Sequence, residues 1–96
     1  MLEKEIEAYL VRRVKEMGGI AYKFVSPQRR SVPDRVIVIK DVPIFFVELK
    51  SSVGKLTEGQ EREIARLREL GKLIFVCNSR EQVDKILNDI TWVYKK

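Results

Sequence analysis

The chain has 96 residues, 45% of them hydrophobic, with a formal net charge of +5 and a sequence pI of about 9.5. That is the size of one domain, 1–96, with a thin core, and the excess of cations suits a polyanionic partner such as nucleic acid. There is no histidine and a single cysteine, which excludes Ser-His-Asp and Cys-His catalysis, histidine general bases, ordinary structural zinc sites and an intramolecular disulfide.

Residues 2–17 predict a helix, with Ile6, Leu10, Val14 and Met17 at helical spacing and Gly18-Gly19 as its end. The first ten residues are charged and lack an apolar run, so no secretory signal is expected, and no stretch approaches a membrane span. A cytoplasmic setting with Cys77 reduced follows as the expectation. "IAYKFV" (20–25) reads as a strand and "SPQRRSVP" (26–33) as a basic loop. "RVIVIK" (35–40) and "IFFVELK" (44–50) are strands close enough in sequence to form an antiparallel hairpin. After a loop at 51–56, "TEGQ" (57–60) has the capping-box form, and Ile64, Leu67 and Leu70 give the following helix a buried stripe. "LIFVC" (73–77) is a further strand. "SREQ" (79–82) opens a third helix with Val83, Ile86, Leu87 and Ile90 inward, and "TWVY" (91–94) reads as a terminal strand or an oligomer contact. The order α-β-β-β-α-β-α places the chain in the α/β (α+β) class, with a mixed central sheet flanked by helices.

The chemistry concentrates where the third strand ends. Side chains alternate faces along a strand, so Glu48 and Lys50 share one face with Phe46 and Ile44. Asp34, directly after Pro33, joins that face only if the numbers of opposed hairpin residues sum to an even value. A sum of 84 sets Asp34 opposite Lys50, and a sum of 82 sets it opposite Glu48. Two converging carboxylates repel unless a cation sits between them, and oxygen-only ligands suit Mg²⁺ or Mn²⁺. A neighbouring lysine can orient a water nucleophile or offset charge that develops in a phosphodiester. Arg29, Arg30 and Arg35 lie beside this site as candidate phosphate contacts, with Lys55 a further candidate of the same kind. Arg12, Arg13 and Lys15 read as a solvated helix face.

"PD" at 33–34, thirteen residues, then "ELK" at 48–50 resembles the PD-(D/E)xK nuclease superfamily, and the αβββαβ order agrees with its restriction-endonuclease-like core. "LEKEIEAYL", "PDRVIVI", "FFVELK" and "GKLTEGQ" are similar to the VRR-NUC family, over roughly residues 2–78. That family occurs as small phage and bacterial proteins and as the nuclease domain of a DNA-crosslink repair enzyme. "SPQRRSV" departs from the glycine-containing loop expected before the PD motif. The resemblance implies metal ligation by Asp34 and Glu48 with the Leu49 backbone carbonyl, and Lys50 as the catalytic lysine. It also implies a first-helix glutamate, for which Glu3 fits the inward stripe and Glu7 is the alternative, and a glutamine at Gln60, which the capping box explains equally well. The implied activity is Mg²⁺- or Mn²⁺-dependent cleavage of DNA by a homodimer. Similarity to Holliday junction resolvases makes branched DNA the expected substrate. Two rivals are a non-catalytic nucleic-acid-binding module and a protein-interaction domain that keep the fold.

Overall fold

The computed structural model describes residues 1–95. In chain order it contains α1 (Glu3–Glu16), β1 (Ile20–Lys23), β2 (Arg35–Val38), β3 (Phe45–Leu49), α2 (Glu58–Glu69), β4 (Ile74–Cys77) and α3 (Arg80–Tyr94). The four strands form one sheet in the order β1-β2-β3-β4. β1–β2 and β2–β3 are antiparallel, and β3–β4 is parallel, with α2 as the crossover between them. β3 is therefore an interior strand. Its apolar run Phe45, Val47 and Leu49 is fully enclosed, while Phe46 on the other face is only half-buried.

α1 and α3 cover the face to which Phe45, Val47 and Leu49 point. Ile6, Leu10 and Val14 of α1 and Val83, Leu87 and Ile90 of α3 join Ile37 and Cys77 there in one core. Each such burial contributes roughly 1.5–3 kcal/mol. A polar seam locks the two helices together. The Tyr9 hydroxyl donates to Asp84 at 2.8 Å and Arg13 Nε donates to Asp84 Oδ1 at 3.0 Å, both holding the Asp84 carboxyl below its usual range. Arg12 stacks over the Tyr9 ring, 5.2 Å from its centroid. Arg13 thus belongs to a helix–helix contact and not to a solvated face.

α1 ends because Gly18 adopts the left-handed conformation (φ 78°), which lets the Gly18 and Gly19 N–H groups donate back to Lys15 and Val14. Gly19 then passes close to β2: a Cβ there would lie 2.6 Å from the Val38 carbonyl oxygen. α2 starts on the expected capping box, with Thr57 and Gln60 exchanging side-chain-to-backbone bonds. Its inward stripe differs from the expectation: Ile64 is buried, but Leu70 is 66% exposed and Glu63 is buried instead. Two successive steps of three residues turn Leu70 about 120° away from Ile64, whereas Gln60, Glu63, Ile64 and Leu67 stay on one side. "TWVY" is no strand. It continues α3 to Tyr94, with the Thr91 hydroxyl donating to the Leu87 carbonyl. Ile44, expected to share the strand face of Phe46, Glu48 and Lys50, stands before β3 and is 55% exposed.

Candidate active site

The hairpin register settles which residues meet. Arg35 opposes Val47, Val36 opposes Phe46 and Ile37 opposes Phe45, so the numbers of each pair sum to 82. The connection includes a turn in which Asp41 takes φ 65° and the Val42 N–H donates to the Ile39 carbonyl. One step beyond Arg35, the same register brings Asp34 opposite Glu48, and the two side chains leave the sheet on the same face.

Asp34 is held from both sides. Its carbonyl accepts from the Phe24 N–H at 3.0 Å, which extends the β1 side of the ladder. Its Oδ2 accepts from the Leu49 N–H at 2.7 Å. β2 begins only at Arg35, so Leu49 has no strand residue to receive its N–H, and the Asp34 carboxylate fills that place. The Leu49 amide edge therefore faces the Asp34 carboxylate. Neither the sequence pattern nor the motif spacing signals this bond.

Glu48 is 2% exposed, and neither of its carboxylate oxygens has a hydrogen-bond partner. An orphaned buried carboxyl holds its proton. Burial first, and then the adjoining Asp34 carboxyl, push its pKa up to about 8, since a proton between the two would relieve both repulsion and the unmet hydrogen bond. The Lys50 charge pulls in the opposite direction. Lys50 is half-buried, and its N–H donates to the Cys77 carbonyl at 2.9 Å, fixing the end of β3 against β4. Asp34, Glu48 and Lys50 are thus gathered at one end of the sheet.

The remaining expected residues are dispersed. Glu3 is exposed on the first turn of α1. That turn lies beside the loop after β3, where the Met1 amine donates to Ser52 Oγ and the Ser52 N–H donates to the Met1 carbonyl. No group of three His, Cys, Asp or Glu side chains converges on a common point among the described residues, so Glu3 does not complete a triad with Asp34 and Glu48. Glu7 is engaged elsewhere: its Oε2 accepts from Arg35 Nε at 2.8 Å, and Arg35 Nη1 donates to the Ala21 carbonyl. Arg35 is consequently a half-buried clasp between α1 and the sheet. Gln60 Oε1 accepts from the Thr57 N–H. Lys55 is exposed in the loop after β3. Arg29 is half-exposed and paired with Glu63, and Arg30 is exposed. Glu63 escapes the sequence reading, although it falls on the same helical stripe as Gln60, Ile64 and Leu67.

A deprotonated Glu48 beside Asp34 would need a compensating cation, and the donor atoms the two carboxylates offer are all oxygen. Such a set fits a hard divalent ion and not zinc or a softer metal.

No protein-family model matches the chain. The chain is 49% identical over 79 residues to "Putative nuclease p44" of Acyrthosiphon pisum secondary endosymbiont phage 1, covering 82% of this chain and 85% of that protein. It is also similar to a solved structure described as a VRR_NUC domain, with a TM-score of 0.83 and 32% identity over 90% of this chain and 94% of the other.

Proposed function

The chain belongs to the VRR-NUC family of nucleases, and from that premise we propose that it is a divalent-metal-dependent endonuclease of DNA whose site is Asp34, Glu48 and Lys50. The observation that carries the reading is Glu48: a buried acid that no N–H or hydroxyl group serves, set against a second carboxyl group, costs the metal-free fold stability. Asp34, Glu48 and the Leu49 carbonyl are the groups that would hold Mg²⁺ or Mn²⁺. When bound, such an ion supplies Lewis-acid charge against the phosphate oxygens and makes nearby water more acidic.

The chain's own residues divide the rest of the work. Asp34 is prevented from turning away by the Leu49 N–H, so its free oxygen keeps a fixed aim. Glu48 would hold such an ion as a carboxylate, having given its proton to solvent. Lys50 shares the face of Glu48, and its ammonium can orient the attacking water or meet the charge that builds on the phosphate. Glu3, exposed on the first turn of α1, would help through water, since it joins no cluster with Asp34 and Glu48 among the described residues. Arg29, Arg30 and Lys55 meet backbone phosphates. Arg35, clasped by Glu7, supports the strand.

A second copy completes the proposed assembly. A groove of about 560 Å³ lies between Ile44, Phe46, Leu73 and Tyr94, next to the exposed Val93. Pairing there would give a homodimer with two sites related by a two-fold axis, suited to symmetric cuts in branched DNA. The test is incubation with four-way, flap, splayed and linear DNAs with and without Mg²⁺ or Mn²⁺. Metal-dependent cleavage, fastest on a branched substrate, is the expected result. Binding without cleavage in either metal would favour a non-catalytic module, and neither binding nor cleavage would favour a protein-interaction domain.

A further inference from the structure

The basic loop 26–33 lies against the first turns of α2. Ser26 Oγ accepts from the N–H groups of Gln28 and Arg29, which curls the loop. Gly59 lets it come close: a Cβ at that position would be 2.7 Å from Ser31 Oγ. Loop and helix flank an open polar recess of about 240 Å³, lined by Arg29, Arg30, Arg62 and Arg66 with Glu63.

Glu63 is 8% exposed, yet it sits in the wall of an arginine-rich recess. Its Oε1 lies 3.5 Å from Arg29 Nη1 and 3.8 Å from Arg66 Nε. A buried carboxylate persists only with cationic partners. Those partners, in contrast, are not buried: their side chains are 50% and 54% exposed. A guanidinium carries five N–H donors in a rigid fork. Glu63 therefore pairs with one nitrogen of each guanidinium and leaves the other donors of two half-exposed arginines available to a ligand. Arg30 makes no ion pair among the described residues, so the recess has a clear positive excess.

We propose that this recess is a second phosphate site, holding a DNA backbone phosphate apart from the one that is cut. In it Glu63 is a positioning residue that sets Arg29 and Arg66 for bidentate contact. The inference rests on the nuclease reading, and Pro33, which leads from the loop directly to Asp34, ties the recess to the catalytic end of the sheet. Glu63 thus strengthens anion binding although it is itself an anion, because two aligned forks outweigh one neutralised charge.

The test is anisotropy of a short labelled duplex in EDTA across a salt series, together with single-turnover cleavage in Mg²⁺. Arg29→Ala and Arg66→Ala are each expected to weaken binding several-fold and to reduce the slope of log K against log salt by about 0.9 for each phosphate that is no longer neutralised. Glu63→Gln separates positioning from charge, since the two predict opposite signs. It makes the protein more positive and is nevertheless expected to bind several-fold more weakly, with a reduced slope and an unchanged circular dichroism spectrum. Tighter binding with a wild-type slope would overturn the positioning role. Should Glu63→Gln unfold, Arg66→Lys, which keeps the charge and loses the fork, is expected to show the same several-fold loss, and wild-type binding by it would overturn the proposal. Wild-type slopes in both alanine variants, with cleavage intact in the parent, would overturn the phosphate site alone. A parent protein that neither binds nor cuts DNA would overturn the nuclease reading beneath it.

Discussion

At the scale of single residues the site is defined by an unmet need. Glu48 is enclosed, without hydrogen-bond partners, and protonated to about pH 8. In the unfolded chain the same group releases its proton near 4.5. Between those values the folded state binds more protons than the unfolded one, so this group makes the metal-free protein less stable as pH rises through that window. Glu48→Gln is expected to remove that decline and to raise the melting temperature in EDTA at pH 8, while abolishing the stabilisation that Mg²⁺ gives the parent. Melting curves at pH 5 and pH 8, with and without Mg²⁺, check this; a parent equally stable at both pH values in EDTA would contradict it. Cys77 presents the opposite case. Burial in the core pushes its thiol up to about 12, so it is expected to resist thiol-modifying reagents at pH 8 until the protein is denatured. Labelling within minutes in native buffer would contradict this.

At the scale of elements, the helices and strands follow from local pattern, because capping boxes, glycine stops and β-branched runs act over a few residues. The requirement that Asp34 and Glu48 share a face narrows the register of the β2–β3 hairpin to two even sums. The observed value of 82 depends on the turn around Asp41, whose left-handed backbone has no unique sequence mark. Side-chain partners across elements are not legible in the sequence. The Asp34–Leu49 bond, the Glu7–Arg35 clasp and the buried Glu63 each join segments far apart in sequence. Composition alone does not tell Arg35, held inward, from Arg29 and Arg30, held outward. The end of α3 reads as a strand because Thr91, Trp92, Val93 and Tyr94 favour strands locally, whereas docking of Val83, Leu87 and Ile90 on α1 carries the helix through them. The α1–β2 contact offers an element-scale test. Gly19→Ala would force a Cβ against the Val38 carbonyl and Ile39, and a loss of about 1–3 kcal/mol in urea unfolding is expected. An unchanged midpoint would mean that the approach is looser than described.

At the scale of the whole molecule, one sheet end carries the proposed catalytic groups, a basic recess precedes it in the chain, and an apolar groove lies beside Ile44 and Tyr94. A net charge of +5 gives long-range attraction to a polyanion such as nucleic acid. The apolar groove is the proposed dimer surface, and on that proposal sedimentation at micromolar concentration and moderate salt should give a mass twice that of the 11.2 kDa chain. Tyr94→Glu, which places a charge at that groove, is expected to shift it to monomer; a parent that sediments only as monomer would contradict the assembly but not the site. The proposed site is tested most directly by separating cleavage from binding at Lys50, whose charge acts on Glu48. The measurement is single-turnover cleavage of a branched DNA in Mg²⁺, with affinity for the same DNA in Ca²⁺, for the parent and Lys50→Ala. Loss of such an electrostatic contact to the transition state costs on the order of 10²–10³ in rate, so cleavage should fall by about that factor while affinity changes little. Cleavage by Lys50→Ala at the parent rate would contradict the assignment of Asp34, Glu48 and Lys50 as the active site.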